Sequence, residues 1–537
     1  MLTKVKGSVW DSADNNLAVN VKDYGAVGDG VTDDTAAIQS AIDSGARMVL
    51  FPSGIYSVSS TLTLSSSIII QSDGAKIVSS ISTGSPAISI TASSVNIYGL
   101  EIQGIGNSSY IAANDLIKVS GTNNSPAAPT YVSDVIIRDC YLHGCGDSGI
   151  YGIYVSDSKF NNNRIRNVGR SGIKLLSPLR CSASDNNILN VAPGDGGGDA
   201  YGIYFSKMST PFIEDPEPQN CACNNNVVAN VPSWVGLDTH GGRNMTFSGN
   251  SIKDCKMGIT FTKADDGAGT EIAAVQNSVI VGNTMIGTNE LPGIVVTGLQ
   301  SDGLYALNNT ITGNSIYNYG DPANSNSGAI NIDAAKVTSI TGNSIIYPGA
   351  CGVSIGAYTY STTITGNSIK DPWSNTVTAP RYVRFGGNDA NGAVNGNSFF
   401  RENTAYATYV GVRGVELNNT NTEIAAGINF NQATEKYVIA SSGVFVGSPI
   451  VQSGTGSGTA STSSSFLDIP VTFPEAFTTI PNVTVSTDQT SGENNATNTV
   501  HVLNLTATSF TARISTASKA VFNNAHNFNI YWQASGY

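Results

Sequence analysis

The chain has 537 residues, of which 12% are charged, and its formal net charge of −12 corresponds to a pI near 4.8. This charge excludes a nucleic-acid-binding protein, because phosphate recognition needs a basic face and the sequence holds no run of lysine or arginine. The length exceeds that of one ordinary core, and apolar residues are spread evenly along the chain, so several domains or a repeat architecture is expected rather than disorder.

Residues 1–20 form a short N-terminal segment without an apolar stretch, and no run approaches 18 consecutive apolar residues. We therefore expect neither an export signal in the chain itself nor insertion into a membrane. The seven cysteines are odd in number and irregularly spaced, which is typical of buried free thiols. We expect no metal site and no cofactor.

A helix is predicted near the start, within GDGVTDDTAAIQSAIDSGARMVLFPSGIY. Asp33, Asp34 or Thr35 can cap it, the apolar side chains of Ile38 and Ile42 lie on one side, and it ends near residue 45. A short helix at this place is typical of the cap that covers the open end of a solenoid.

The middle of the chain repeats a corner written GNS or GNT. Its asparagines are Asn250, Asn283, Asn314, Asn343, Asn367 and Asn397, and earlier, less regular copies are at Asn163, Asn187 and Asn226. Between the corners, apolar residues recur at every second position, as in β-strands, and no helical periodicity is present. This pattern predicts a parallel β-solenoid. Glycine and asparagine tolerate the left-handed backbone of a sharp corner.

The entry stretch VNVKDYGAVGDGVTDDTAAIQSAI and the following VLFPSGIYSV resemble the start of pectate-lyase-like right-handed β-helix proteins, and the resemblance extends to about residue 400. Together with a β-rich C-terminus, the chain is most similar to bacteriophage tailspike depolymerases. The resemblance implies an all-β protein, a homotrimer that is attached to phage tail or baseplate proteins. It implies localisation in the virion and action on a bacterial capsular polysaccharide or exopolysaccharide at the host surface.

The predicted domains are the N-terminal segment 1–20, a parallel β-helix over 21–400 with its capping helix, and a connecting β-rich region 401–450. They are followed by a Gly/Ser-rich linker at 451–465 and an antiparallel β-sandwich at 466–537. The last segment resembles lectin-like end domains of tail fibres, with Phe466, Phe477 and Trp532 as core candidates. A trimer-stabilising module without a sugar site is the alternative.

One strand carries an unusual polar pair, Asp238 and His240, in a chain with four histidines. When the strands that follow each corner are aligned, the outward third position gives Tyr154, Lys174, Tyr204, Asp238 and Thr260 in successive coils. The outward fifth position gives Ser206 and then His240. Outward residues are polar in any solvated strand, but only this histidine falls in an aligned strand and only these coils cluster Tyr, Lys, Asp and His. We therefore predict a functional surface here.

Long insertions in the same coils are expected to flank this surface and form a groove. A rigid groove rich in aromatic, amide and hydroxyl groups suits an extended polysaccharide. The predicted catalytic residues are His240, Tyr204, Asp238 and Lys174. The predicted substrate-binding residues are Tyr154, Ser206, Lys207, Arg243, Asp199, Glu214, Lys263 and Asp265.

Two reactions fit these residues. In β-elimination at a uronic acid, Tyr204 or His240 removes the proton next to the carboxylate, Asp238 orients His240, and Lys174, Arg243 or Lys207 neutralises the developing charge. Glycoside hydrolysis needs two carboxyl groups roughly 5 to 9.5 Å apart. Asp238 would need a partner from a loop or a neighbouring subunit, the loop candidates being Asp195, Asp199, Glu214, Asp265 and Asp266. A spike that binds glycan without catalysis is the third reading.

Overall fold

Short strands joined by left-handed corners wind the chain into a right-handed parallel β-helix in the computed structural model of the protein. The structure describes residues 17–123, 129–193, 199–208, 215–265, 271–299, 303–324, 326–373, 380–386, 391–400, 413–417, 423–424, 429–430, 435–439, 450–460, 466–474, 476, 480–491, 498–516 and 526–536. The β-helix has three faces, each a run of parallel strands. This architecture confirms the predicted solenoid.

The first face precedes the asparagine corner. Its strands are Ala18–Asn20, Met48–Phe51, Ile68–Ser72, Val95–Tyr98, Ile136–Arg138, Lys159–Asn161, Ser182–Ser184, Ala222–Asn224, Thr246–Ser248, Val279–Val281, Thr310–Thr312, Ser339–Thr341, Tyr360–Thr365 and Asn391–Asn395.

The second face follows the corner. Its strands are Asp29–Asp33, Gly54–Val58, Ala75–Ser79, Glu101–Gln103, Tyr141–Cys145, Arg164–Val168, Asn187–Val191, the first halves of Val227–His240 and Ser251–Thr262, Thr284–Ile286, Ser315–Tyr317, Ser344–Ile346, Ser368–Lys370, Ser398–Phe400 and Asn429–Phe430.

The third face carries the residues of interest. Its strands are Leu62–Leu64, Ile88–Ile90, Ile117–Ser120, Ser148–Ile153, Ser171–Leu176, Tyr201–Ser206, the second halves of Val227–His240 and Ser251–Thr262, Ile294–Thr297, Gly328–Asp333, Cys351–Ile355, Arg381–Phe385, Arg413–Leu417 and Glu435–Ile439. Short accessory strands are Val132–Ser133, Val155–Ser156, Ala264–Asp265, Glu271–Ala273, Ala306–Leu307, Ala335–Lys336 and Glu423–Ile424.

A ladder of buried asparagines runs along the corner between the first two faces. In each rung the backbone N–H and the Nδ2 of one asparagine donate to Oδ1 of the next, as Asn250 does to Asn283 at 2.9 and 2.8 Å. The members are Asn163, Asn186, Asn226, Asn250, Asn283, Asn314, Asn343, Asn367 and Asn397. The predicted corner at Asn187 is thus one residue late, because the asparagine in the ladder is Asn186.

The left-handed conformation belongs to the residue before each ladder asparagine. Gly282, for example, has φ 64° and precedes Asn283, and in the earlier coils an asparagine or aspartate takes this place. The GNS repeat therefore combines two demands, a residue that tolerates positive φ and an amide that hydrogen-bonds inside the stack.

The predicted capping helix spans Thr35–Ile42 and buries Ile38, Ala41 and Ile42. It follows a 3-10 helix at Val21–Tyr24. Asp34 does not cap the helix with its side chain. Its carboxylate instead accepts hydrogen bonds from the backbone N–H groups of Val27 (2.6 Å) and Gly28 (3.1 Å), so that it fixes the preceding loop.

Aliphatic and aromatic side chains fill the interior of the β-helix, among them Phe205, Phe247 and Phe261, all fully buried. The seven cysteines are free and buried, as the sequence predicts. No helix among the described residues is long and apolar enough to span a membrane.

The parallel strands extend past residue 400, where the sequence predicted that the β-helix ends. Arg413–Leu417 pairs with Arg381–Phe385, and Glu435–Ile439 pairs with Arg413–Leu417. The GNS repeat stops near residue 400, but strand pairing needs only backbone hydrogen bonds and continues without it.

The C-terminal unit contains two three-stranded antiparallel sheets. One is formed by Ile450–Ala460, His526–Gly536 and Asn482–Ser491, the other by Phe466–Thr472, Ser509–Thr516 and Asn498–Leu503. Their buried core includes Ile469, Phe510, Phe528, Ile530 and Trp532. The antiparallel sheets and the core position of Trp532 agree with the predicted sandwich, whereas Phe477 lies outside the described residues.

Two predictions for this unit are wrong. Residues 450–460 are a strand paired along its length with 526–536, not a linker. In its sequence glycine alternates with polar residues, and a β-carbon at Gly454 would lie 2.6 Å from Trp532, so the glycines make room for the core. Phe466 is 43% exposed, because the inward residues of its strand are Ile469 and Val471.

Candidate functional site

The register of the third face brings three of the four predicted catalytic residues into one outward column. Lys174 pairs with Tyr204, Tyr204 with Asp238, and Asp238 with Thr260, each on the neighbouring strand. Successive strands lie about 4.8 Å apart, so neighbouring side chains of the column are within reach of one another. In the parallel column, Ser206 pairs with His240.

Tyr154 does not belong to this column. The sequence contains the tandem GIYGIY, and the structure pairs Tyr151 of the first copy, not Tyr154 of the second, with Lys174. Tyr154 lies at the next corner with φ 48°, is 3% exposed, and donates from its hydroxyl to Oδ2 of Asp215 at 2.6 Å. The role of Tyr154 is therefore structural. Tyr151 occupies the position in the column that the sequence predicted for Tyr154.

The carboxylate of Asp238 is buried beneath the imidazole of His240. The Asp238 side chain is 1% exposed and that of His240 is 28% exposed, with 2.9 Å between Oδ2 and Nε2. When the imidazole is protonated, this contact is an ion pair. The hydroxyl of Thr260 donates to Oδ1 of the same carboxylate. Asp238 therefore holds His240 from below and does not itself face a ligand.

The other nitrogen of the imidazole faces a phenol. Nδ1 of His240 lies 3.4 Å from the hydroxyl oxygen of Tyr204, and the two rings meet edge to face. Tyr201 stacks on Tyr204 with 4.4 Å between ring centroids. Asp238, His240 and Tyr204 thus form a continuous chain of polar contacts that ends at a half-buried hydroxyl.

Charge and burial oppose each other at His240. Burial lowers the pKa of the imidazole, but the negative charge of Asp238, supported by Asp265 and Asp199, outweighs it and raises the pKa above its ordinary value of 6.5. Burial and the charge of Asp238 also raise the pKa of Tyr204, so its phenol is protonated at neutral pH.

Positive charge enters the site from two residues. Lys174 precedes Tyr204 in the column, and its Nζ lies 5.0 Å from the centre of the Tyr151 ring. Arg170, which the sequence analysis did not select, is close enough to lower the pKa of Tyr204. Arg170 directly precedes the strand Ser171–Leu176. The alternation of inward and outward residues does not extend to a residue outside the strand, so it could not identify Arg170.

The remaining predicted residues are more dispersed. Arg243 lies beyond the corner at Gly241 and pairs with Glu217 at 3.1 Å. The backbone N–H of Lys207 donates to the carbonyl of His240, and the Ser206 hydroxyl donates to the carbonyl of Lys207. Lys263 is near Asp333 of a later coil, where burial raises the pKa of Asp333 and the charge of Lys263 partly offsets that rise. Asp195, Glu214 and Asp266 lie outside the described residues.

A buried acidic pair lies earlier on the same face and was missed by the sequence analysis. Asp115 is 2% exposed, and burial together with the neighbouring Asp147 raises its pKa to about 7. Its Oδ1 accepts from the backbone N–H of Ser148, while its Oδ2 is buried without a hydrogen bond. Both residues come just before their strands. The alternation of inward and outward residues within a strand therefore could not identify them.

The arrangement can move a proton. A buried carboxylate that orients an imidazole, which in turn contacts a hydroxyl, is the geometry that activates an oxygen for attack or for proton abstraction. The cations of the neighbouring rungs can stabilise negative charge that develops beside that oxygen.

Two family models match the chain. Residues 18–260 match the family described as rhamnogalacturonase A/epimerase, pectate lyase-like, and residues 468–534 match the H-type lectin domain. The first match includes the column from Tyr151 to Thr260. The lectin-like resemblance of the C-terminus is supported by the second match.

Similar proteins come from bacteria and from phages. The mannuronan C5-epimerase AlgE5 of Azotobacter vinelandii is 30% identical over 222 residues, which are 33% of this chain and 22% of that protein. The pre-neck appendage protein of Bacillus phage B103 is 27% identical over 291 residues, which are 50% of this chain and 29% of that protein. The chain thus spans less than a third of the length of either relative.

Solved tailspike structures share the fold. The tailspike gp49 of Pseudomonas phage LKA1 aligns with a TM-score of 0.53 and 15% identity over 97% of this chain and 100% of that chain. The tailspike gp61 of Pseudomonas phage phi297 aligns with a TM-score of 0.51 and 16% identity over the same shares. At this identity the likeness concerns the fold.

Proposed function

We propose that the chain is a phage tailspike enzyme that cleaves a uronic-acid-containing bacterial surface polysaccharide by β-elimination. The observation that carries this proposal is the chain of contacts from buried Asp238 through His240 to the hydroxyl of Tyr204, on an outward column of a β-helix. The pectate-lyase-like match and the likeness to tailspike folds support the substrate class.

The reaction removes the proton on C5 of a uronate, next to its carboxylate. With the Nε2 proton of His240 held toward Asp238, the lone pair of Nδ1 accepts the phenol proton of Tyr204, and the phenolate takes the C5 proton. The C4–O4 bond breaks as the C4=C5 double bond forms, and the proton on His240 passes to O4. Tyr204 and His240 are then restored to their starting forms.

The intermediate carries two negative charges on the uronate carboxylate, which need a cation nearby. Lys174 occupies the rung next to Tyr204, and Arg170 acts electrostatically on Tyr204. These two residues fit the charge-neutralising role better than Arg243, which lies beyond the corner at Gly241 and outside the column. A positive charge at this point also lowers the cost of forming the phenolate.

Elimination is favoured over hydrolysis by the burial of Asp238. A hydrolase needs two carboxyl groups that face the scissile bond from a separation of roughly 5 to 9.5 Å. The carboxylate of Asp238 is covered by His240 and Thr260, so it is not placed to protonate a sugar oxygen or to activate water. Within the described part of the chain, Asp265 and Asp199, which act on His240, are the candidates for a hydrolytic pair.

Epimerisation at C5 is the second candidate, and the 30% identity to a mannuronan C5-epimerase favours it. It begins with removal of the same proton, but the proton returns on the opposite face and the C4–O4 bond stays intact. The same relay therefore serves both reactions, and they differ in the group that reaches the other face of the sugar.

Purified mannuronan and capsular polysaccharides of candidate hosts distinguish these reactions. Elimination produces ultraviolet absorbance from the new double bond. Hydrolysis produces reducing ends without absorbance, epimerisation changes the proton NMR spectrum of an intact polymer, and a binding spike leaves the polymer unchanged. Efficient cleavage of a polymer without uronic acid would refute the elimination.

Substitutions at the relay test the assigned roles. His240→Ala and Tyr204→Phe are each expected to lower kcat by at least about a hundredfold, the usual worth of a positioned acid or base. Ser251→Ala, an exposed change on the second face, is the matched control and leaves kcat unchanged. Near-normal turnover of either relay variant would reject the site.

The quaternary state and location belong to the same proposal. A homotrimer in the virion is supported by the likeness to tailspike folds and to a pre-neck appendage protein. Light scattering is expected to give the mass of three 55.7 kDa chains. A monomeric mass would contradict the trimer, but the relay, which lies within one chain, would not be affected.

A further inference from the structure

A cavity opens on the third face, several rungs beyond His240. It has a volume of about 320 Å³ and is lined by Asn331, Asp333, Ser354, Gly356, Arg384 and Gly386. The register of the face connects it to the relay without interruption, because Asp238 pairs with Thr260, Thr260 with Val295, and Val295 with Asn331. At about 4.8 Å per rung, Asn331 lies roughly 14 Å from Asp238.

The cavity exists because two neighbouring rungs, at Gly356 and Gly386, have no outward side chain at this position. Gly356 and Gly386 directly follow Ile355 and Phe385, which are paired on neighbouring strands. A β-carbon at Gly356 would lie 2.7 Å from Oδ1 of Asp333, and a β-carbon at Gly386 would meet the guanidinium of Arg384. The two glycines therefore form the floor, and the charged side chains lie across it.

The groups around this floor suit a sugar. Asn331 accepts a hydrogen bond from the backbone N–H of Gly328 at its Oδ1, so its Nδ2 has donors to offer. Ser354 donates to the carbonyl of Asn326, so its oxygen can still accept. The volume is near the lower end of the roughly 300–1,000 Å³ that is typical of small-ligand pockets, which is room for a saccharide unit.

The cavity is lined by one cation, Arg384, and one carboxylate, Asp333. Arg384 presents a guanidinium, whose planar fork matches a carboxylate. Lys263 is near enough to act on Asp333.

We propose that this cavity is a second subsite of the polysaccharide groove, which binds a sugar unit through its carboxylate on Arg384. The inference rests on the proposed function, because it assigns to the substrate an acidic sugar several units away from the bond that reacts. The subsite holds the polymer along the third face and thereby sets which repeat unit reaches Tyr204.

The test uses the full chain with the relay inactivated by His240→Ala, so that bound polymer persists. Binding of mannuronan and polygalacturonate, with dextran as the neutral comparison, is measured by titration calorimetry. Adding Arg384→Gln, which keeps a polar side chain but shortens it and removes the charge, is expected to weaken binding of an acidic polymer at least tenfold. Lys253→Ala removes one cation from the second face, where the side chain is 62% exposed, and should change nothing.

The subsite is overturned if Arg384→Gln and Lys253→Ala bind alike, if dextran binds as well as the acidic polymers, or if neither acidic polymer binds. Thermal unfolding of each variant ensures that folded proteins are compared. Turnover by the chain with His240 intact is followed in parallel. Binding that depends on Arg384 without any turnover refutes the proposed enzyme and supports the subsite. Turnover together with binding that does not depend on Arg384 supports the enzyme and refutes the subsite.

Discussion

Replacement of Asn283 by alanine removes one rung of the asparagine ladder, and the structure gives the size of the loss. Oδ1 of Asn283 accepts the backbone N–H and the Nδ2 of Asn250, at 2.9 and 2.8 Å. Its Nδ2 donates to the carbonyl of Phe247 at 3.0 Å and to Oδ1 of Asn314 at 2.9 Å. All of these groups are buried, so water cannot replace the missing amide.

Two donors of Asn250 lose their shared acceptor in this variant. Each buried polar group that is left unsatisfied costs about 1–3 kcal/mol, so the free energy of unfolding should fall by about 4 kcal/mol. The matched control is Asn161→Ala on the first face, where a half-buried asparagine accepts one hydrogen bond at 3.4 Å. Its loss should stay below about 1 kcal/mol.

Urea unfolding of both variants and of the unchanged chain, at one protein concentration, measures the two losses. Equal destabilisation by the two substitutions would refute the reasoning, because it would mean that the ladder adds nothing beyond an ordinary surface amide. A change in the slope of the transition would indicate that the folded coils had rearranged around the missing rung.

Three further changes test the relay, a buried acid and the corners. Asp238→Asn should move the midpoint of the rise of kcat/KM with pH downward, because the carboxylate holds the pKa of His240 up and only neutral imidazole accepts a proton; an unmoved midpoint would reject this role. The pKa of Asp115 is raised in the folded state from 3.8 to about 7, so its contribution to stability is present below pH 4 and is lost as the pH rises through 7. Over this range the unchanged chain should lose up to about 4 kcal/mol of stability that Asp115→Asn, which cannot ionise, keeps. The melting temperature of Asp115→Asn should therefore rise relative to that of the unchanged chain, and parallel curves of melting temperature against pH would contradict this. Gly282→Ala, at φ 64°, should cost about 1 kcal/mol in thermal unfolding and Gly282→Asn less, whereas equal effects would exclude the backbone as the cause.

The fold could be predicted from the sequence because local sequence patterns specify a β-helix. Strand alternation, the GNS corner and the entry signature each require only residues that are neighbours in the chain. The pairing of Lys174, Tyr204, Asp238 and Thr260 followed from this phase, since the corners place every third-face strand in the same register.

Errors arose where one local pattern fits two structures. The tandem GIYGIY allows two phases that differ by three residues, and only stacking on the next coil selects Tyr151 over Tyr154. The glycine-rich stretch at 450–460 resembles a linker in composition, but its glycines alternate and face bulky side chains of a partner strand far along the chain.

The sequence by itself determined the solenoid, the phase of its strands and the outward column that carries His240, because strand periodicity and corner chemistry act over a few residues. Only the tertiary structure decided that Asp238 is buried beneath the imidazole, that Asp115 is held next to Asp147, and that two glycines open a cavity beside Arg384. Burial and proximity of this kind depend on side chains that are far apart in the chain and meet only when the coils stack.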